Sequence, residues 1–191
     1  CSNELKLNDA GFQINVDPKI VEKSISEIFK QKGWSRSTQK EFFNEVYKHY
    51  DSGIAKGFGS TFVELKYDSP DYELLSNLKY NAASLAAFKN HQNSTEMLKA
   101  IFDEDGELRT FKDFKEAAIK IDNKYNKTWL KTEYDTAVTQ ANMASKWIDF
   151  EKDADLYPNL KFVQIDRDTK NQNHVQWDGL VLPVDHIFWN T

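Results

Sequence analysis

Cysteine, glycine, proline and long apolar runs are all scarce in this chain. Each scarcity excludes or disfavours a kind of fold or site. Cys1 is the one cysteine among 191 residues, which excludes an internal disulfide and a thiolate metal cluster. Seven glycines and four prolines are typical of a largely helical chain. No apolar run approaches the roughly 20 residues that span a bilayer, so we expect no direct membrane contact.

Positive charge is also in short supply. Lysine and arginine total 25 against 30 aspartates and glutamates, for a net charge of -5. Such a balance argues against a protein built mainly to coat nucleic acid, because phosphate binding needs clustered cations. Local basic patches stay open, but the charge does not indicate DNA contact.

Motifs for common enzyme chemistry are missing as well. The sequence has no phosphate-cradling glycine-rich loop, no Gly-x-Ser-x-Gly elbow and no His-Glu-x-x-His. We therefore assign no catalytic residue, no metal and no cofactor, and we expect a non-enzymatic protein.

The pattern that is present predicts helices over most of the chain. Asp17-Pro18 and Ser69-Pro70 each place a capping side chain before a proline at the first helical position. The polar run 90–94 predicts a kink or break in the helix that follows Ser69-Pro70. A loose boundary near 103–109 divides a helical region, residues 1–104, from a C-terminal α/β region, residues 105–191.

A further helix is predicted over residues 128–152. Its apolar seam recurs at steps of four and three: Leu130, Tyr134, Ala137, Ala141, Ala144 and Ile148. The alanines would let a β-unit approach closely. Thr132 and Glu133 stand early on this helix. Glu133 is open to two interpretations, a general base or ligand, and a buried polar bond to the β-unit. The second is favoured, because a carboxylate beside a seam needs a partner.

The β-unit is predicted from the last thirty residues. Asp178-Gly179 between Val175-x-Trp177 and Leu180–Leu182 favours a two-residue hairpin turn with positive φ at the glycine. Asp166, Asp168 and Thr169 are open to two interpretations. The two carboxylates could bind a cation, or, as we favour, the Asp and Thr side chains accept from backbone N–H groups and stabilise a turn. His174 and Asp178 would share one face of a strand, as an acid/base pair, a metal pair or a hydrogen bond. The fold class is α+β, with a C-terminal helix packed on a small antiparallel hairpin.

The order of these residues resembles the C-terminal signature of the Mu F-like phage head morphogenesis family. The resemblance covers about residues 105–191 and includes the structural motif Thr132, Glu133, Asp166, Asp168, Thr169, His174, Asp178, Gly179, Pro183, Asp185 and Trp189. It departs from the family in having Lys131 where arginine is usual, and in lacking Cys-x-x-Cys at residues 170–173. Family members usually continue past the point of Thr191 to a closing Cys-Arg-Cys.

The resemblance implies a phage or prophage minor head protein that acts in capsid assembly and DNA packaging through contacts with portal and capsid proteins. It would be located in the virion, or in the bacterial cytoplasm during assembly. Two other classes stay open: a nuclease or toxin-like enzyme domain using Glu133, Asp166, His174 and Asp178, and a surface lipoprotein or interaction module. If the chain is a lipoprotein, Cys1 is the acylated residue that anchors it.

Overall fold

The protein is described by a computed structural model, which covers residues 15–164 and 175–190. The helices are α1 (Pro18–Gln31), α2 (Arg36–Phe58), α3 (Pro70–Lys99), α4 (Phe111–Asn123) and α5 (Leu130–Lys152). A π-helical segment, Lys124–Trp129, joins α4 to α5. Strands β1 (Asn159–Lys161) and β2 (Val181–Pro183) pair antiparallel, and a 3-10 turn follows at Ile187–Asn190. The predicted fold class, a largely helical α+β protein with a small antiparallel sheet, is confirmed.

Helices α1 and α3 begin with the side-chain caps that the sequence predicted. Asp17 accepts from the Lys19 N–H at 2.8 Å, and Ser69 accepts from the Tyr72 N–H at 3.2 Å. Thr110 caps α4 in the same way, through the Asp113 N–H. Each bond satisfies a donor that the first helical turn would otherwise leave unpaired, so these three starts depend only on local sequence.

The chain divides into two compact units, Cys1–Met143 and Ala144–Thr191. The boundary expected near residues 103–109, between a helical region and a C-terminal α/β region, stays a prediction. In the first unit the core is built by buried apolar residues of α1 to α5, among them Ile25, Ile28, Phe42, Val46, Leu75, Met97, Phe114, Leu130 and Val138.

Two glycines of α2 let α5 approach it closely. A Cβ on Gly57 would lie 2.1 Å from the carbonyl oxygen of Val138, and one on Gly53 would lie 3.1 Å from the ring of Tyr134. Ala141 is the next side chain at this crossing. The face of α5 that carries Tyr134, Val138 and Ala141 therefore packs on α2, where the sequence had suggested the β-unit.

The division of the helix predicted at residues 90–94 is wrong. Helix α3 runs unbroken through these residues, and Asn90 and Asn93 are buried in the interior. Helix α4 continues into α5 through the π-helical segment, without a turn between them.

The sheet of the second unit differs from the predicted hairpin. Gly179 has the expected positive φ, +83°. However, the strand that pairs with β2 is β1, with Leu160 opposite Leu182, and not the segment Val175–Trp177. Residues 176–179 form the turn instead, and the Gly179 N–H donates to the Phe162 carbonyl at 2.9 Å. Asp178 therefore lies in a turn, and not on a strand face.

Half-buried aromatic rings pack against one another in this second unit. Phe162, Trp177 and Phe188 meet edge to face, with the Trp177 and Phe188 centroids 5.3 Å apart. Trp189 meets Phe188 edge to face, with ring centroids 5.0 Å apart. Its indole N–H donates to the Pro183 carbonyl at 2.7 Å. With few residues available, such large rings supply most of the apolar surface that the unit can bury.

Candidate functional site

Glu133 is the centre of a polar cluster that joins three helices of the first unit. It lies one turn into α5 and accepts a 2.5 Å hydrogen bond from the phenol of Tyr50 on α2. It also forms an ion pair with Lys89 of α3, whose side chain is only 3% exposed. The cluster supplies the polar bond that the sequence predicted for Glu133, but its partners are on α2 and α3.

Burial and charge both act on the partners of Glu133. Burial raises the pKa of Tyr50 above its usual value, and the neighbouring Glu133 carboxylate raises it further. Burial lowers the pKa of Lys89, opposed by the hydrogen bond and charge of Glu133. A phenol kept protonated is a hydrogen-bond donor, so Tyr50 is held in the form that binds the carboxylate.

Lys89 also connects this cluster to the π-helical segment. Its ammonium donates to the Tyr125 carbonyl at 2.8 Å. The Tyr125 phenol in turn donates to Glu96 at 2.5 Å. Burial, and to a smaller extent the Glu96 carboxylate, raise the pKa of Tyr125 to about 12. The widened helical turn thus has its carbonyl and its side chain both bonded to α3, which holds the distortion in place.

The π-helix has a cause in the spacing of the buried residues. From α4 to α5 the inward positions recur at strict steps of four: Phe114, Ala118, Asp122, Asn126, Leu130, Tyr134 and Val138. Four residues of an α-helix turn through about 400°, so such a series drifts about 40° per step around the helix. A segment with more residues per turn compensates part of that drift, and π-helical turns occur frequently at functional sites.

Two cavities open beside Glu133. The first, of about 330 Å³, is called the apolar groove here and is lined by Leu85, Phe88, Lys89, Gln92, Tyr125, Trp129 and Glu133. The second holds about 220 Å³ and is lined by Tyr50, Ile54, Leu78, Asn81, Ala82, Leu85, Glu133, Thr136, Ala137 and Gln140. Glu133 and Leu85 belong to both, so the Glu133 carboxylate forms part of the wall of each cavity, whereas Lys89 lines the apolar groove alone of the two.

Apolar side chains at the rim of the apolar groove face water. Phe88 is 60% exposed, and Leu85 and Trp129 are each 42% exposed. Phe42 and Tyr50 of α2, by contrast, are buried in the core. The exposed apolar surface of the helical unit therefore includes α3 and the π-helical segment.

A second buried polar cluster lies behind the π-helical segment. The Asn126 amide donates to Asp122 at 2.6 Å, and Asn93 of α3 is fully buried beside them. Burial raises the pKa of Asp122, while the amides of Asn126 and Asn93 oppose that rise. Sequence reasoning predicted a buried polar bond for Glu133 without its partners, and it missed this second cluster, although the polar residues at steps of four gave a signal for it.

The other predicted motif residues divide by location. Thr132 is exposed and donates back to the Thr128 carbonyl at 3.3 Å. Asp178 accepts from the Gln164 N–H at 3.0 Å and closes the loop between β1 and β2. Pro183 accepts from Trp189, and Asp185 is exposed. Asp166, Asp168, Thr169 and His174 lie outside the described residues.

Within the described residues, no three His, Cys, Asp or Glu side chains come together as a metal site would require. No helix among them is both long and apolar enough to cross a membrane. The fold and the cluster together define a helical protein with an internal polar tie and an exposed apolar groove. No family model, no curated protein and no solved structure matches the chain.

Proposed function

We propose that the chain is a minor head protein of a phage or prophage, which acts in capsid assembly and DNA packaging through protein–protein contacts. The C-terminal motif resembles the Mu F-like family, whose members associate with portal and capsid proteins. On this proposal the protein works in the virion, or in the bacterial cytoplasm while heads assemble.

The observation that carries the protein-contact part is the apolar groove. Phe88, Leu85 and Trp129 are large, exposed and adjacent along one cavity. Monomeric proteins seldom leave such side chains together in water unless a partner covers them. Aromatic anchors in a groove are also the residues that dominate binding energy at protein interfaces.

The Glu133 cluster supports a structural role over an enzymatic one. Its carboxylate is already bonded to Tyr50 and Lys89, so the charges of the cluster neutralise one another and join α2, α3 and α5. The nuclease or toxin-like alternative would instead need Glu133 to act on a substrate in the adjoining cavities. The lipoprotein alternative depends on Cys1, which lies outside the described residues.

We further propose that the end of α5 packs on the β-unit to make the C-terminal module. The support is a contact within the second unit: the rings of Trp147 and Trp189 lie 6.5 Å apart between centroids. This pair would couple the motif tryptophan to the helix that carries Glu133 nearer its start.

The test measures association with the cognate portal and major capsid proteins. Phe88→Asp should abolish portal or capsid binding, because it places a charge in the apolar groove. Tyr80→Asp is the matched control, since Tyr80 is exposed on the same helix but does not line the groove. Binding unaffected by Phe88→Asp would contradict the role of the groove.

DNA and nuclease assays separate the alternatives. We expect weak DNA binding at about 150 mM salt, since phosphate contacts weaken steeply with salt and the net charge is negative. Tight, salt-resistant DNA binding without portal or capsid association would refute the proposal. Metal-dependent nuclease activity that Glu133→Gln abolishes would favour the enzyme.

A further inference from the structure

We propose that a second groove, between α2 and α3, binds an acidic amphipathic helix of a protein partner. This cationic groove, of about 410 Å³, is lined by Trp34, Arg36, Gln39, Lys40, Phe43, Ala87, Asn90, His91 and Ser94. It is a different surface from the apolar groove, and the inference does not depend on the role in head assembly.

The shape of the groove comes from two helical ridges. On α2 the lining residues fall at Arg36, Gln39, Lys40 and Phe43, and on α3 they fall at Ala87 and the positions three, four and seven residues after it. Both rows follow the spacing of a single helix face. Grooves between two helices are the surfaces into which amphipathic helices dock their apolar side.

The charge of the groove is opposite to that of the chain. The protein carries a net charge of -5, yet no aspartate or glutamate lines this cavity. Arg36 and Lys40 form no ion pair with any acidic side chain in residues 15–164 and 175–190. Two exposed cations without counter-charges complement carboxylates on a partner.

A buried amide in the same groove lacks one partner. Asn90 is 8% exposed and donates its amide N–H to the Gln39 carbonyl at 3.1 Å. Its Oδ1 is buried and accepts no hydrogen bond from the described part of the chain. An acceptor left unpaired away from water is costly, so the side chain would gain from turning this shielded oxygen toward an amide or hydroxyl donor on a partner.

The aromatic side chains at the groove complete the chemistry of the partner. Trp34 and Phe43 both line it, and Trp34 is held by its indole N–H, which donates to the Ser24 carbonyl at 3.1 Å. A polypeptide offers carboxylates for Arg36 and Lys40, a donor for Asn90 and an apolar side chain for the rings. Nucleic acid offers phosphates for the cations and bases that stack on the rings, but the net charge of -5 opposes a polyphosphate, and duplex DNA is therefore an arm of the test.

The experiment selects binders from a displayed library of random 16-residue peptides. We expect enriched sequences with Asp or Glu beside apolar residues at helical spacing. Their affinity should fall at least about tenfold for Arg36→Glu/Lys40→Glu, because the charges at the rim then repel. The matched control is Lys112→Glu/Lys120→Glu on α4, which changes the net charge equally and should leave affinity unchanged.

Folding of the test variant is not at risk from the substitution itself, because acidic residues in the first turns of a helix interact favourably with its dipole. Equal circular dichroism and unfolding midpoints check this. Selected peptides without carboxylates, an empty selection, or equal binding to the Arg36→Glu/Lys40→Glu protein would overturn the proposal. Duplex DNA binding that this double variant abolishes would overturn it too, by assigning the groove to phosphates.

Discussion

The phenol of Tyr50 and the carboxylate of Glu133 are joined by a 2.5 Å hydrogen bond across 83 residues of chain. The same carboxylate neutralises Lys89, which is almost wholly buried. Three helices thus meet at one carboxylate. Because Lys89 is removed from water, the loss of that carboxylate would leave a buried charge without compensation.

The first prediction concerns this tie. Glu133→Gln should lower the free energy of unfolding by about 2–4 kcal/mol, somewhat less than for a fully buried pair, because Glu133 is partly solvated. Denaturant unfolding measures the loss. Glu116→Gln, at an exposed position of α4, is the control and should change stability little. Adding Lys89→Met to Glu133→Gln should recover part of the loss; no recovery would show that the charge of Lys89 is not the cause.

The second prediction concerns the crossing of α2 and α5. Gly57→Ala should cost at least about 2 kcal/mol, because the new Cβ would meet the Val138 backbone at 2.1 Å. Helix propensity alone would give the opposite sign, since alanine is favoured over glycine by about 1 kcal/mol. The sign of the change that thermal unfolding gives for Gly57→Ala decides between the two. Gly33→Ala, in the loop between α1 and α2 with nothing within 4 Å of the new Cβ, is the control without a clash. A stabilised Gly57→Ala protein would contradict the close approach.

The third prediction concerns the turn before β2. Gly179 has φ of +83° and open space around its Cβ position, so the cost of a side chain is conformational. Gly179→Val should destabilise the second unit by about 1–3 kcal/mol, whereas Gly179→Asn should cost less, because asparagine tolerates positive φ. Equal stabilities of the two variants, measured by unfolding monitored at tryptophan, would argue against strain at this position.

The fourth prediction concerns pH. The folded pKa of Asp122 is raised above the ordinary value of 3.8, mainly by burial, so the folded state retains a proton longer than the unfolded chain. Stability from this group is therefore fully present below pH 3.8 and falls as pH rises through the folded pKa. Asp122→Asn should remove that fall. The difference in unfolding free energy between wild type and variant, measured from pH 3.5 to 8, should change across this window; a constant difference would refute it.

The amino-acid sequence alone determined the features that depend on a few adjacent residues. The capped helix starts at Asp17 and Ser69 could be predicted because each cap bonds an N–H two or three residues away. The positive φ of Gly179 was readable for a similar reason, from its aspartate neighbour and flanking apolar residues. The small number of glycines and prolines by itself indicated a largely helical chain.

The tertiary structure alone decided which residues meet. Nothing near Glu133 in sequence identifies Tyr50 or Lys89 as its partners, since a helix face can pack on any helix of suitable shape. The undivided α3 and the joined α4 and α5 also depend on tertiary packing: Asn90, Asn93 and Asn126 are buried inside the helical unit, and the Asn90 amide donates to the Gln39 carbonyl of α2. Local propensity is worth fractions of a kcal/mol per residue, and packing and buried polar bonds across the core outweigh it.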